Sequence, residues 1–271
     1  MTTIKTRSQE YTPLAVFKSI LVDRSGSMET FRGKQYEMVY RLLMDAKKQA
    51  IDTNVKSDLN LISFDTQIEF ILADCDLAKT QTPSINDLET SLYPRGCTRF
   101  NDTLIAQIEI LTQKKNIFFN SLSKKAQKLN PDIVQVLIAI TDGEDNSSDH
   151  TVEETRNIVK NFRENGGRAI LMAANMNAQV IGAKYGFNPE KCITVHNSNE
   201  KAIQSGFEAV QQMQRNITQG IDTSFTHVER SSSLPINQFY NDNDDASVPD
   251  AMADYDGTDP LSFQPPKLTR S

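Results

Sequence analysis

The chain has 271 residues, of which 38% are hydrophobic and 24% charged, and its net charge is −6. That length can bury an ordinary core without disulfide staples. The acidic balance argues against non-specific nucleic-acid binding, which needs clustered Lys and Arg. The longest apolar runs, such as Ile133 to Ile140, fall well short of the roughly 20 residues a membrane helix requires.

In chain order, Met1 to Glu10 is polar and carries no apolar run of the signal-peptide kind. The apolar stretch Ala15 to Val22 follows Pro13 and runs into Asp23-Arg24-Ser25-Gly26-Ser27, as a buried strand entering a loop would. Glu29 to Ile51 places Tyr36, Val39, Tyr40, Leu43, Ala46 and Ala50 at helical spacing. Asp58 to Phe64 reads as a second strand and Gln67 to Leu72 as a third. The turn between them is so short that the third strand is expected to be antiparallel, at a sheet edge. A short helix over Pro83 to Ser91 precedes the loop Tyr93 to Phe100. Asn101 to Leu129 reads as one long helix ended by Pro131.

Ile133 to Ile140 is the most apolar strand and ends in Thr141-Asp142-Gly143. Thr151 to Asn165 is helical, opened by a Thr-x-x-Glu capping box and closed by Gly166-Gly167. Arg168 to Ala174 is a strand, Ala178 to Tyr185 a short helix, Cys192 to Val195 a strand, and Asn199 to about Gln219 a helix. Strands alternating with helices imply an α/β fold: a doubly wound, mostly parallel central sheet with one antiparallel edge strand and helices on both faces. The expected division is an N-terminal extension over 1–13, a domain over 14–222 and an acidic, disordered tail over 223–271. From Ser224 onward, eight acids stand against Arg230, Lys267 and Arg270, which puts −5 of the chain's −6 in the tail. Cys75, Cys97 and Cys192 are far apart and read as free, buried thiols of a reducing compartment, so the expected location is cytoplasmic.

The chemistry concentrates in Asp23-x-Ser25-x-Ser27, where Gly26 lets one tight loop present three oxygen-bearing side chains. Hydroxyls, carboxylate and water suit a hard cation, Mg2+ first and then Mn2+ or Ca2+; no His or Cys nearby suggests zinc. Asp23 and Asp142 both stand where a strand enters its following loop, the rim at which such sheets build binding crevices. Taken singly, these residues serve equally well as helix caps or turns. Their shared place at the rim favours one site.

Three segments together resemble the von Willebrand factor A family with its metal-ion-dependent adhesion site: Leu21 to Met28, Gly96 to Leu104, and Ile140 to Asn146. The resemblance spans about Ala15 to Gln219 and implies a Rossmann-like fold of that type. It implies that Ser25 and Ser27 bind the metal directly. Thr98 would bind directly or through water, and Asp23 and Asp142 would hold coordinating waters or, one of them, the ion itself. It further implies a non-enzymatic module in which a partner's Asp or Glu completes the metal shell. A chaperone-like ATPase or a larger assembly is the expected kind of partner. Arg24 and Arg99 flank the ligands and are read as outward and solvated, and Asp102 as either a support for Thr98 or a plain first-turn residue. His150, His196 and His227 read as isolated. The alternatives are a Mg2+-dependent phosphohydrolase, with Asp23 as nucleophile assisted by Arg24, Arg95 or Arg99, and a scaffold whose metal site has lapsed.

Overall fold

A computed structural model describes residues 11–31, 34–197 and 199–234. Six strands form one sheet: β1 (Ala15–Asp23), β2 (Lys56–Phe64), β3 (Ile68–Asp76), β4 (Ile133–Thr141), β5 (Arg168–Ala174) and β6 (Cys192–Val195). Their order is β3-β2-β1-β4-β5-β6. All neighbours are parallel except β2 and β3, which pair antiparallel at the edge. Every residue of β1 and β4 is buried, which is why both read as mostly apolar runs rather than alternating ones, although Lys18 and Ser19 in β1 and Gln135 in β4 are buried too. On the edge strand β3 every residue is partly or fully exposed.

The helices are α1 (Lys34–Thr53), α2 (Ile85–Ser91), α3 (Phe100–Ser121), α4 (Lys124–Lys128), α5 (Val152–Glu164), α6 (Ala178–Lys184), α7 (Glu200–Thr218) and α8 (His227–Ser232). The sheet is covered on both faces. On one, Val16, Ile20 and Val22 of β1 share a core with Val39 and Leu43 of α1 and Phe207 and Val210 of α7. On the other, Phe17 and Leu21 share a core with Leu104 and Ile108 of α3 and Val159 and Phe162 of α5. Each such fully buried side chain contributes roughly 1.5–3 kcal/mol of transfer free energy. Among the described residues no helix is long and apolar enough to cross a membrane.

Several boundaries differ from the sequence reading. The helix expected to start at Glu29 is preceded by a separate 3-10 turn over Gly26–Phe31. The helix expected to run to Leu129 ends at Ser121, because Ser123 caps a new helix by accepting from the Ala126 amide at 3.2 Å. Edge strand β3 extends four residues past Leu72.

The expected tail also begins too early at 223. Phe225 is buried, α8 carries its own capping box, and Ser233 donates to the Thr194 carbonyl of β6 at 2.6 Å. The capping box and the apolar anchor outweigh the polar composition of that stretch. The rest of the expected tail, residues 235–271, lies outside the described residues, as does the expected extension up to Glu10. Of the three thiols, Cys192 is buried, Cys75 is half-buried and Cys97, expected to be buried, is exposed on the loop before α3.

Candidate metal centre

The topology places the site. From β1 the chain turns one way to β2 and later returns on β1's other side as β4. The loops leaving β1 and β4 therefore part in opposite directions and leave a crevice between the carboxyl ends of these two strands. Asp23 ends β1, while Thr141 ends β4 and hands on to Asp142.

All five residues singled out by the sequence meet there. Asp23 is fully buried at the floor. Its Oδ1 accepts from the Ser25 amide at 2.7 Å and its Oδ2 from the Thr141 hydroxyl at 2.6 Å. Ser25 Oγ lies 3.0 Å from Ser27 Oγ, and Ser27 Oγ donates to Asp142 Oδ1 at 2.7 Å. The Thr98 hydroxyl completes the ring: a Cβ added to Gly143 would sit 3.4 Å from Thr98 Oγ1 and 3.8 Å from Ser27 Oγ. Asp23, Ser25 and Thr98 are buried, whereas Ser27 is exposed and Asp142 half-buried. The cluster thus has a closed floor and an open mouth.

The supporting contacts were only partly legible beforehand. Thr141 was visible merely as part of a strand end, yet its hydroxyl donates to Asp23 and accepts from the Gly143 amide at 3.2 Å. Asn146 holds Thr98 from both sides: its Oδ1 accepts from the Thr98 amide at 2.8 Å, and its own amide donates to the Thr98 carbonyl at 3.0 Å. Asp102, one reading of which made it the support for Thr98, instead accepts from Arg99 at 2.5 Å and lies 2.7 Å from His150 Nδ1. His150 is accordingly not isolated.

Neither of the two flanking arginines pairs into the site; Arg24 is not solvated, whereas Arg99 keeps 29% of its side chain exposed. Arg24 is buried and donates to Asp65 at 3.0 Å and Glu69 at 2.9 Å. Arg99 pairs with Asp102 and Asp149. Arg95, the third cation that a phosphoryl-transfer reading would enlist, is likewise engaged with Asp65 and Glu69.

The electrostatics are one-sided. Burial pushes the Asp23 carboxyl up to about 6, even though the Thr141 hydroxyl and Ser25 amide favour its charged form. Burial also raises Asp142 from the usual carboxylate range, against the stabilising Ser27 hydroxyl. Among the described residues neither carboxylate is ion-paired with a Lys, Arg or His: Asp23 is held by the Ser25 amide and the Thr141 hydroxyl, and Asp142 by the Ser27 hydroxyl. Nor do the described residues gather three His, Cys, Asp or Glu side chains anywhere into a potential metal cluster. Two uncompensated carboxylates and three hydroxyls around one open mouth form an all-oxygen donor set. That set fits a hard divalent cation.

No protein-family model matches the chain, and no curated protein matches it. Solved structures do resemble it. The vWF domain of the type V pili tip protein Mfa5 from Porphyromonas gingivalis is 10% identical, with 80% of this chain and 99% of that one covered and a TM-score of 0.54. The pilus adhesin SpaC from Lactobacillus rhamnosus GG is 13% identical over 78% of this chain and 31% of its own, with a TM-score of 0.50. Proximal thread matrix protein 1 from the mussel byssus, with a zinc-occupied MIDAS motif, is 13% identical over 76% of this chain and 46% of its own, with a TM-score of 0.44. The chain thus spans less than half of the last two proteins. At these identities the likeness establishes the fold, a Rossmann-like von Willebrand factor A-type sheet with an antiparallel edge strand.

Proposed function

We propose that the chain is a metal-dependent protein-binding module, in which a divalent cation held at the carboxyl ends of β1 and β4 captures an Asp or Glu of a protein partner. One observation carries the reading: Asp23 at the floor and half-buried Asp142 share one cluster with three hydroxyls, and neither is ion-paired with a cationic side chain among the described residues. A buried carboxylate without a counter-charge costs several kcal/mol unless something positive arrives.

The Ser25, Ser27 and Thr98 hydroxyls are the groups that would hold Mg2+, with Mn2+ and Ca2+ as alternatives, and Asp23 and Asp142 would hold it through water or directly. Hydroxyls are neutral, so they leave an ion electrophilic enough to attract an outside carboxylate. Exposed Ser27 and half-buried Asp142 border the side on which that carboxylate would enter. Floor residues Asp23 and Thr141 keep the deeper donors fixed through a 2.6 Å hydrogen bond. A chaperone-like ATPase or another member of a multi-protein assembly is the partner class suggested by the sequence resemblance, and a cytoplasmic setting belongs to the same proposal.

Mn2+ offers a direct test. Water-proton relaxation of the Mn2+-loaded protein should fall when a short peptide bearing a central Asp is added, because the carboxylate displaces a metal-bound water. The Asn-containing peptide should leave relaxation unchanged. Equal responses to the two peptides would contradict carboxylate capture.

A further inference from the structure

Beside the cluster around Asp23 lies a second group of charges, built on buried Asp65 and Arg24, that the sequence reading does not connect with it. Asp65 follows β2 directly and is 2% exposed. Its Oδ2 accepts from Arg24 Nε at 3.0 Å and from Arg95 Nε at 2.7 Å. Its Oδ1 accepts from the Gln67 amide at 2.6 Å, and its carbonyl accepts from the Arg99 amide at 3.0 Å. Glu69 on β3 closes the group, 2.9 Å from Arg24 Nη1 and 2.6 Å from Arg95 Nη2.

The two arginines belong to the two loops that bring the hydroxyls. Arg24 lies between Asp23 and Ser25, and Arg95 three residues before Thr98. Backbone contacts run in parallel with the ion pairs. The Arg95 amide donates to the Arg24 carbonyl at 2.7 Å, and the Gly26 amide donates to the Gly96 carbonyl at 3.2 Å. The Cys97 amide donates to Thr66 Oγ1 at 3.1 Å. Gly96 lies so close to the β2–β3 turn that an added Cβ would come within 2.7 Å of Thr66 Oγ1.

We infer that Asp65, Arg95 and Glu69, acting through Arg24, are positioning residues that lock the Thr98 loop to the Ser25–Ser27 loop and thereby set the affinity of the cation site. This rests on the metal-binding reading above. The physical argument is one of placement. The hydroxyl donors come from loops more than 70 residues apart in sequence, and three weakly basic oxygens hold a cation well only if they are already converged. The carboxylate of Asp65 ties both loops to the end of β2, whose Phe64 carbonyl also accepts from the Arg24 amide at 2.9 Å. Arginine suits the task because its planar fork engages both carboxylates at once, which lysine cannot reproduce.

The test uses the full chain and three variants: Arg95→Gln, Arg95→Lys and, as a control for general destabilisation, Ile170→Val in the middle of β5. Arg95 is half exposed, so its removal leaves the core intact. Mn2+ affinity by calorimetry and hydrogen exchange at the Gly26 and Arg95 amides are read together. Arg95→Gln should weaken Mn2+ binding about 10-fold, the lower end for supporting residues of metal sites. It should also speed exchange at those two amides while β4 amides keep wild-type protection. Arg95→Lys should recover part of both effects, and Ile170→Val should leave affinity unchanged. Wild-type Mn2+ affinity in Arg95→Gln, with the wild-type chain binding the ion, overturns the positioning role alone. Failure of the wild-type chain to take Mn2+ overturns the metal reading itself, and the affinity role with it.

Discussion

Asp23 and Asp65 invite comparison because they occupy nearly equivalent places. Asp23 is the last residue of β1, in register with Phe64, and Asp65 is the first residue after the adjacent parallel β2; both are buried, at 0% and 2% exposure. Asp65 meets two guanidinium groups, while Asp23 meets a hydroxyl and an amide and no cation. A buried carboxylate whose charge is balanced inside the chain is part of the architecture. One whose charge is left unbalanced beside an open mouth is an invitation to an ion from outside. On the proposed metal reading, the same residue type at the same kind of position has two uses, and only its neighbours distinguish them.

The strongest way to break this contrast is Asp65→Ala. It leaves Arg24, itself buried, with Glu69 as its one carboxylate partner beside the Ser91 carbonyl. The expected loss is about 3 kcal/mol in urea unfolding, the lower end for breaking a buried pair. A loss below about 1 kcal/mol would show that Asp65 is not structural. Next comes Gly96→Ala. Gly96 has φ +67° and no room for a Cβ beside Thr66, so about 1–3 kcal/mol should be lost by the same measurement. A neutral result would mean that the loop sits less tightly on the β2–β3 turn.

Asp23→Asn should behave in the opposite way. The metal-free fold should change by less than about 1 kcal/mol, because the charge that is costly to bury disappears while one hydrogen-bond acceptor remains. Collapse of the metal-free variant would mean that Asp23, like Asp65, is architectural.

The smallest effect concerns the pair on the far side of Thr98. Burial alone would raise Asp102, but Arg99, the His150 ring and the backbone amides of Asp149 and His150 outweigh it and hold the carboxyl well below its usual range. The hydrogen bond to Asp102 in turn raises His150 above the usual 6.5. The pair's contribution is therefore complete below the ordinary histidine value and fades as pH rises through the folded one. At the acid end it disappears only when Asp102 is protonated, below the usual carboxylate range. An NMR titration should place His150 above 6.5 in the wild type and near it in Asp102→Asn. An unchanged midpoint would dissociate the two residues.

The distribution of what could be read from the sequence follows the same line. The alternation of strands and amphipathic helices was legible because burial on both faces makes β1 and β4 mostly apolar, with only Lys18, Ser19 and Asp23 in β1 and Gln135 and Thr141 in β4 breaking the runs. The convergence of Asp23, Ser25, Ser27, Thr98 and Asp142 was legible because they lie in short segments at strand ends. The Arg24–Asp65–Arg95–Glu69 group was not, because its members come from separate loops and from the edge strand, and no local spacing links them. Reading Arg24 as solvated was the natural error for a charged residue in a loop; partners 41 and 45 residues away make its burial tolerable. The break after Ser121 and the ordered stretch around Phe225 were missed for a related reason: a capping serine in one case and a single buried ring in the other outweighed the surrounding composition.

The central claim, that the mouth between β1 and β4 takes a divalent cation, is tested most directly by calorimetric titration of Mg2+ and Mn2+ into the full chain and into Asp23→Asn. The account predicts one saturable site in the wild type and none in the variant, with both proteins equally folded by circular dichroism. Identical titrations of the two, or no heat from the wild type with its fold intact, would contradict it.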